Sequence, residues 1–151
     1  MKKIIFVLIL ISFVASCEKP PKDYRDPYTG KFHFTTFHSV IAMCYDEPDC
    51  IDGWRVIQHD TAQYWSNVLK EGAEKIKMHL WDSTDVRLGK RYHTIVPIID
   101  QNGLLALPEY TDPFHGFEGS YIEKNTININ FKIRSGMGGY HTYEITGTRV
   151  R

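Results

Sequence analysis

Seven histidines, three cysteines and a knot of acids are the residues of this chain that could bind a metal or move a proton. Zinc needs several ligands that converge, commonly as His-x-His on a strand or His-x-x-x-His on a helix. Neither spacing occurs. His33 and His38 are an odd number of residues apart, so on one regular strand they face opposite ways. The histidines therefore read as scattered over the surface and the core boundary, and no metal is expected. Asp46, Glu47, Asp49 and Asp52 crowd one short stretch before Gly53. They offer the hard oxygen ligands that calcium prefers. Their spacing is not that of an EF-hand loop, and Pro48 and the aspartates are ordinary turn formers. A solvated hairpin end is the expectation, and the residue types leave calcium open. Ser120 stands in Gly-Ser-Tyr, outside a Gly-x-Ser-x-Gly nucleophile elbow. Gly136, Gly138 and Gly139 read as a hairpin turn rather than a phosphate-binding loop. No catalytic residue and no cofactor is assigned, and the chain is expected not to be an enzyme.

The cysteines divide by context. Lys2 and Lys3 precede an apolar run from Ile4 to Ile11, extended by Phe13, Val14 and Ala15, and Val14-Ala15-Ser16 leads into Cys17. A charged start, a short apolar stretch and small residues at a cut describe a secretory signal. The run is also shorter than the ~20 residues a spanning helix needs. Val14-Ala15-Ser16-Cys17 resembles the lipobox of bacterial lipoproteins, with Val14 where leucine is usual. The resemblance implies that residues 1–16 are removed and that Cys17 is acylated, palmitate included. It implies a mature protein tethered to a membrane through Cys17. Glu18 rather than aspartate follows the cysteine, so the usual inner-membrane retention signal is not evident. The expected location is the cell envelope, at the outer membrane, with the leaflet open. Residues 17–29 are charged and proline-rich and read as the acylated cysteine and a solvated tether. With Cys17 acylated, Cys44 and Cys50 remain as a pair. In an oxidising envelope compartment they are expected to form a disulfide across the turn between them.

Charge is balanced, with 18 basic and 18 acidic residues. Removal of Lys2 and Lys3 leaves the mature chain slightly acidic. Nucleic acid and polybasic membrane binding both need clustered Lys and Arg, and neither is expected. With 42% hydrophobic and 13% aromatic residues, a packed core is within reach.

The elements that must carry these residues follow a period of two. Ile76, Met78 and Leu80 alternate with Lys75, Lys77 and His79, and Ile127, Ile129, Phe131 and Ile133 alternate with Asn128, Asn130, Lys132 and Arg134. Each run is a half-buried antiparallel strand. Phe32 and Phe34 begin another. Further strands are expected at 54–59, 63–70, 93–100, 104–107, 119–123 and 140–148. A capped helix after Asp60-Thr61 is the alternative for the second of these. Trp54, Trp65 and Trp81 are expected in or near the core. Glu71-Gly72, Asn102-Gly103, Lys124-Asn125 and 135–139 supply hairpin turns. The domain over 30–151 is thus an all-β antiparallel meander of about eight or nine strands, a barrel or strongly curled sheet, with a two-sheet sandwich as the alternative.

Gly30-Lys31-Phe32 at the first strand, with Arg149 or Arg151 at the last, is similar to the lipocalin and calycin pattern, though phenylalanine stands where that pattern has tryptophan. The likeness implies a small apolar ligand held in the barrel against Phe32, Phe34, Ile76, Met78, Ile129 and Phe131. The whole chain also resembles the small β-rich lipoproteins of bacterial envelopes. That reading implies an accessory or structural protein that meets another envelope protein. The segment Pro108 to Phe117 is the expected contact. Tyr110, Phe114, His115 and Phe117 there either meet a partner or fold back over one end of the barrel. The strands are too short to enclose much volume, which favours the partner-binding reading. Oligomeric state, partner, ligand and process are open.

Overall fold

The chain, seen in a computed structural model that describes residues 22–45, 48–82, 91–108, 114–134 and 138–150, follows the period of two. The strands are β1 (Gly30–Met43), β2 (Trp54–Glu71), β3 (Lys75–Asp82), β4 (Arg91–Ile95), β5 (Ile98–Ile99), β6 (Leu104–Ala106), β7 (Phe114–Ile122), β8 (Thr126–Arg134) and β9 (Tyr140–Arg149). All pairings are antiparallel, in the order β2-β1-β9-β8-β7-β6-β5-β3-β4, and β2 also pairs with β3. That last pairing turns one sheet into a ring, so the fold is a meander closed on itself rather than two packed sheets.

The ring is uneven. β1 pairs with β2 along nearly its whole length and with β9 from Phe32 to Ile41. The β2–β3 seam is three residue pairs, Leu69↔Lys77 to Glu71↔Lys75. β2 therefore runs on past β3 with only β1 beside it, and beyond Ile41 the two strands continue alone as a short two-stranded ribbon. The Cys44–Cys50 disulfide ties its tip, as the spacing suggested.

Inward positions fill the ring. Phe32, Phe34, Val68, Ile76, Met78, Leu80, Ile127 and Ile129 are fully buried, with Phe131, Tyr143 and Ile145 almost so. Aromatic rings pack in series, Phe34 on Tyr64 at 5.6 Å and Phe131 on Tyr143 at 4.7 Å between centres. Such offset and tilted contacts add to area burial.

Four expectations need correction. Segments 54–59 and 63–70 are one strand. No glycine or proline separates them, and Asp60 and Thr61 stay in register with His38 and Phe37. The expected strand 93–100 is broken at Val96-Pro97. Proline has no N–H to give the ladder, while its carbonyl still accepts from Ile76 N. Trp65 is 57% exposed rather than in or near the core. Register sets it opposite His33 on the outer face, where its ring meets His33 at 4.7 Å and Lys31 Nζ at 4.8 Å.

The fourth correction concerns the tether. Residues 22–29 lie against the barrel, and Asp26–Tyr28 form a 3-10 turn. Tyr28 and Arg25 are buried. The Arg25 guanidinium donates to the carbonyls of Gly72 at 2.8 Å and Lys75 at 3.0 Å, closing the open backbone of the β2–β3 turn. Tyr24 and Tyr28 donate to the carbonyls of Ile99 and Gln101. The segment is a strap over one end of the ring, because its tyrosines and arginine reach carbonyls that the turns leave unpaired.

Candidate functional site

Around the described inward side chains there is little room for a guest. Phe32, Phe34, Ile76, Met78 and Ile129 have no exposed surface, and Phe131 has 2%. A water-sized void beside any of them would leave accessible surface on its wall. These six side chains, expected to line a ligand cavity, instead touch protein on every side. Arg149 does lie across Gly30, where a Cβ would sit 3.2 Å from its Nε, and it donates to the Pro27 carbonyl at 3.1 Å. Its contact is with the strap. Arg151 lies outside the described residues. Two open hollows, of about 590 Å³ and about 400 Å³, lie on the outside, one beside the strap and one beside Trp65 and His79.

The expected contact segment is only partly described. Tyr110 and the side chains of Phe114 and His115 lie outside the described residues, as do Cys17, Asp46 and Glu47. Phe114 to Phe117 belong to β7 rather than to a loop. Gly116, at φ 58°, sits where the register with β8 shifts between His115 and Glu118. Phe117 is half-buried and packs on the core.

Two features went unread in the sequence. The first is an apolar face on the outside of the ribbon. Residues opposite one another in a ladder share a face. Ile41 is opposite Val56 on β2 and Tyr140 on β9, and Met43 is opposite Trp54. Trp54 and Tyr140 are in ring contact at 5.5 Å. These side chains make one apolar strip, and Phe37, also outward, is set apart from it by the polar row of Ser39, His59 and Thr142. Phe37, Met43 and Val56 are each about half exposed, at 52%, 49% and 48%. Ile51 and Tyr45 at the disulfide-tied tip are 77% exposed. Alternation alone could not show this, because apolar residues here face outward on strands whose other face is also apolar.

The second is polar and inward. His38 is 1% exposed, with Nε2 3.0 Å from His141 Nδ1 and Nδ1 3.5 Å from Asp60 Oδ2. Gln58 Nε2 donates to the same Asp60 oxygen at 2.6 Å. Tyr143 stacks on His38 at 4.8 Å, and His93 meets Tyr143 edge-on at 6.4 Å. The histidines are thus not all scattered. Only the closure of β1 onto β9 brings residues so far apart in sequence together. Among the described residues no group of three or more His, Cys, Asp or Glu side chains is placed to hold a metal ion, and no helix is long and apolar enough to cross a membrane.

No protein-family model matches the chain, and no curated protein matches it.

Proposed function

We propose that this chain is a lipid-anchored envelope protein, held on a membrane through Cys17, whose barrel binds another envelope protein and performs no chemistry. The observation that carries the reading is the outward apolar strip of Ile41, Met43, Trp54, Val56 and Tyr140. Contiguous exposed apolar surface marks interaction sites, and aromatic and Met side chains are enriched there. The filled interior argues against the alternative of an apolar-ligand carrier.

Position favours a protein over the bilayer as occupant. The strap lies at the start of β1, and the strip lies toward the far end of that strand. At ~3.3 Å per residue, β1 carries its tip roughly 40 Å from the strap. Few residues separate Cys17 from the strap, so the strip points away from the anchored end.

The test is photo-crosslinking in the intact envelope from a reactive residue at position 37, beside the strip. One discrete protein adduct is expected, lost on Val56→Asp with Met43→Asp and kept on Trp65→Asp. Adducts to lipid alone, or adducts indifferent to the Asp variants, would overturn the reading. A self-crosslink would make the partner a second copy.

A further inference from the structure

A second outward apolar patch lies at the strap end of the barrel. Ile99, Leu105 and Tyr121 are buried, and their neighbours in β5, β6 and β7, namely Ile98, Leu104 and Ile122, point out and are exposed. Ile98 is opposite Ala106, which shares a face with Leu104 two residues before it. Leu104 is opposite Ser120, and Ile122, two residues further along β7, is its diagonal neighbour. Diagonal neighbours on one face of a sheet are within reach of long side chains. The three residues thus form one aliphatic patch across three strands.

Lysines border the patch. Lys75 is opposite Ile98, and Lys124 stands in the turn that follows Ile122. Among the described residues neither joins an ion pair. Of the acids nearby, Asp100 accepts from the backbone N–H groups of Asn102 at 2.9 Å and Leu104 at 2.8 Å, so its carboxylate is turned into its own turn. Glu123 is exposed beside Lys124.

The chain arrives next to this patch. Lys22 lines the hollow of about 590 Å³ together with Tyr24, Gln101 and Lys124. Gln101 lies in the turn that joins β5 to β6, and Lys124 in the turn that joins β7 to β8. Five residue steps lead back from Lys22 to Cys17. Fully extended, they reach no farther than ~18 Å. An acyl anchor on Cys17 therefore holds this corner of the barrel at the membrane surface.

We infer that Ile98, Leu104 and Ile122 rest in the bilayer interface, and that patch and anchor together fix how the barrel stands on the membrane. The inference rests on the anchor at Cys17 proposed above. Composition favours lipid over protein as the occupant. The patch is aliphatic and lacks the aromatic, Met and Arg side chains enriched in protein interfaces. Lysines at its rim lay their stems along apolar surface and carry their charge to headgroup phosphates. Three side chains are too few to hold a protein on a bilayer alone. Beside a tether the contact is intramolecular, so it has only to select one orientation among those the anchor permits. In that orientation the strip at the far end of β1 faces away from the membrane.

The test is methyl NMR on the acylated protein in bilayer discs of phosphatidylethanolamine and phosphatidylglycerol that carry a spin label in their acyl chains. An interfacial apolar contact sits ~5–10 Å into the headgroup boundary. The methyls of Ile98, Leu104 and Ile122 should therefore relax roughly tenfold faster, or more, than those of Ile41 and Ile51, which lie up to ~40 Å along the barrel. Leu104→Asp with Ile122→Asp alters outward positions only, so the β8 methyls should keep their shifts. That variant should stay on the discs through Cys17 while the enhancement at Ile98 disappears. Disc-bound protein in which the three methyls relax no faster than Ile41 would overturn the seating, leave the anchor standing and give the patch to a protein partner. Protein that does not stay on the discs would instead overturn the anchor. The seating is then decided, by the same comparison, on the chain from Cys17 onward coupled to a maleimide lipid through that thiol, which lies outside the Cys44–Cys50 bond.

Discussion

At Gly147, β9 passes directly against Phe34, its partner in the register with β1. A Cβ there would overlap the Phe34 ring and come within 2.7 Å of Ile127 Cγ2. Neither neighbour is at the end of a flexible chain, and both are fully buried. Gly147→Ala should therefore cost about 1–3 kcal/mol as overpacking. Urea unfolding should show a lower midpoint at an unchanged slope. Tyr121 makes a second residue-scale test. Its hydroxyl donates to the Tyr28 carbonyl at 2.7 Å, and burial pushes its pKa well above the ordinary tyrosine value, with the nearby Arg149 opposing. A raised folded pKa means the folded protein keeps a proton that the unfolded chain gives up. The associated stability is full below about pH 10, the unfolded value, and is lost as pH rises toward the folded one. Alkaline unfolding of the unaltered protein should show this loss. Tyr121→Phe should be weaker at neutral pH by one hydrogen bond, about 1 kcal/mol, yet flatter above pH 10.

The strap is the element whose contribution responds to acid. Asp23 accepts from Arg25 Nε, Nη2 and N, and it pairs with Lys70 at 3.2 Å. Hydrogen bonds from Arg25 lead the causes that hold its carboxyl well below the usual carboxylate range, and Lys70 adds to them. Lys70 also pairs with Asp26, and its own pKa is raised by that carboxylate. A depressed folded pKa contributes stability above the unfolded value of about 4, lost as pH falls toward the folded one. Acid unfolding should therefore begin with the strap, seen as early exchange of the Tyr28 amide. Asp23→Asn should flatten stability against pH below about pH 4. None of this was legible in the sequence, where 17–29 reads as tether because prolines and charges dominate it; the tyrosines and Arg25 gain meaning only from carbonyls left open by distant turns. β3 and β8 were legible, since Ile76–Leu80 and Ile127–Phe131 alternate cleanly and bury the apolar side. The unity of β2 was not, because the inward Asp60 breaks the alternation and only His38 and Gln58 explain it. The acid–histidine group was hidden for the same reason. His38, Asp60 and His141 lie on three strands, and only the register brings them to one place.

At the scale of the whole molecule, closure and filling pull toward one kind of function. A ring of strands removes most edges, and among the described residues this one buries its inward aromatic and aliphatic side chains, which supports the proposed reading of a binding surface on the outside. The lipocalin-like likeness at Gly30 and Arg149 concerns how the first and last strands meet, and Arg149 serves the strap there. It carries no requirement for a cavity. Native mass spectrometry separates the two readings. Secreted under an ordinary signal with Cys17→Ser, the body should leave the membrane fraction and fly as the bare chain, lighter than its reduced form by the hydrogens of the Cys44–Cys50 bond. With Cys17 intact, the same body should stay with the membrane and incorporate labelled palmitate. A lipid-sized adduct on the Cys17→Ser protein would mean that the core opens to admit a guest. Opening would have to displace Phe32, Phe34 or Phe131, each buried against its neighbours, so the adduct should then vanish when Phe34 is replaced by tryptophan. Without an adduct, the outward strip of Ile41, Met43, Trp54 and Val56 is where a partner should be sought, toward the end of β1 that lies away from the strap.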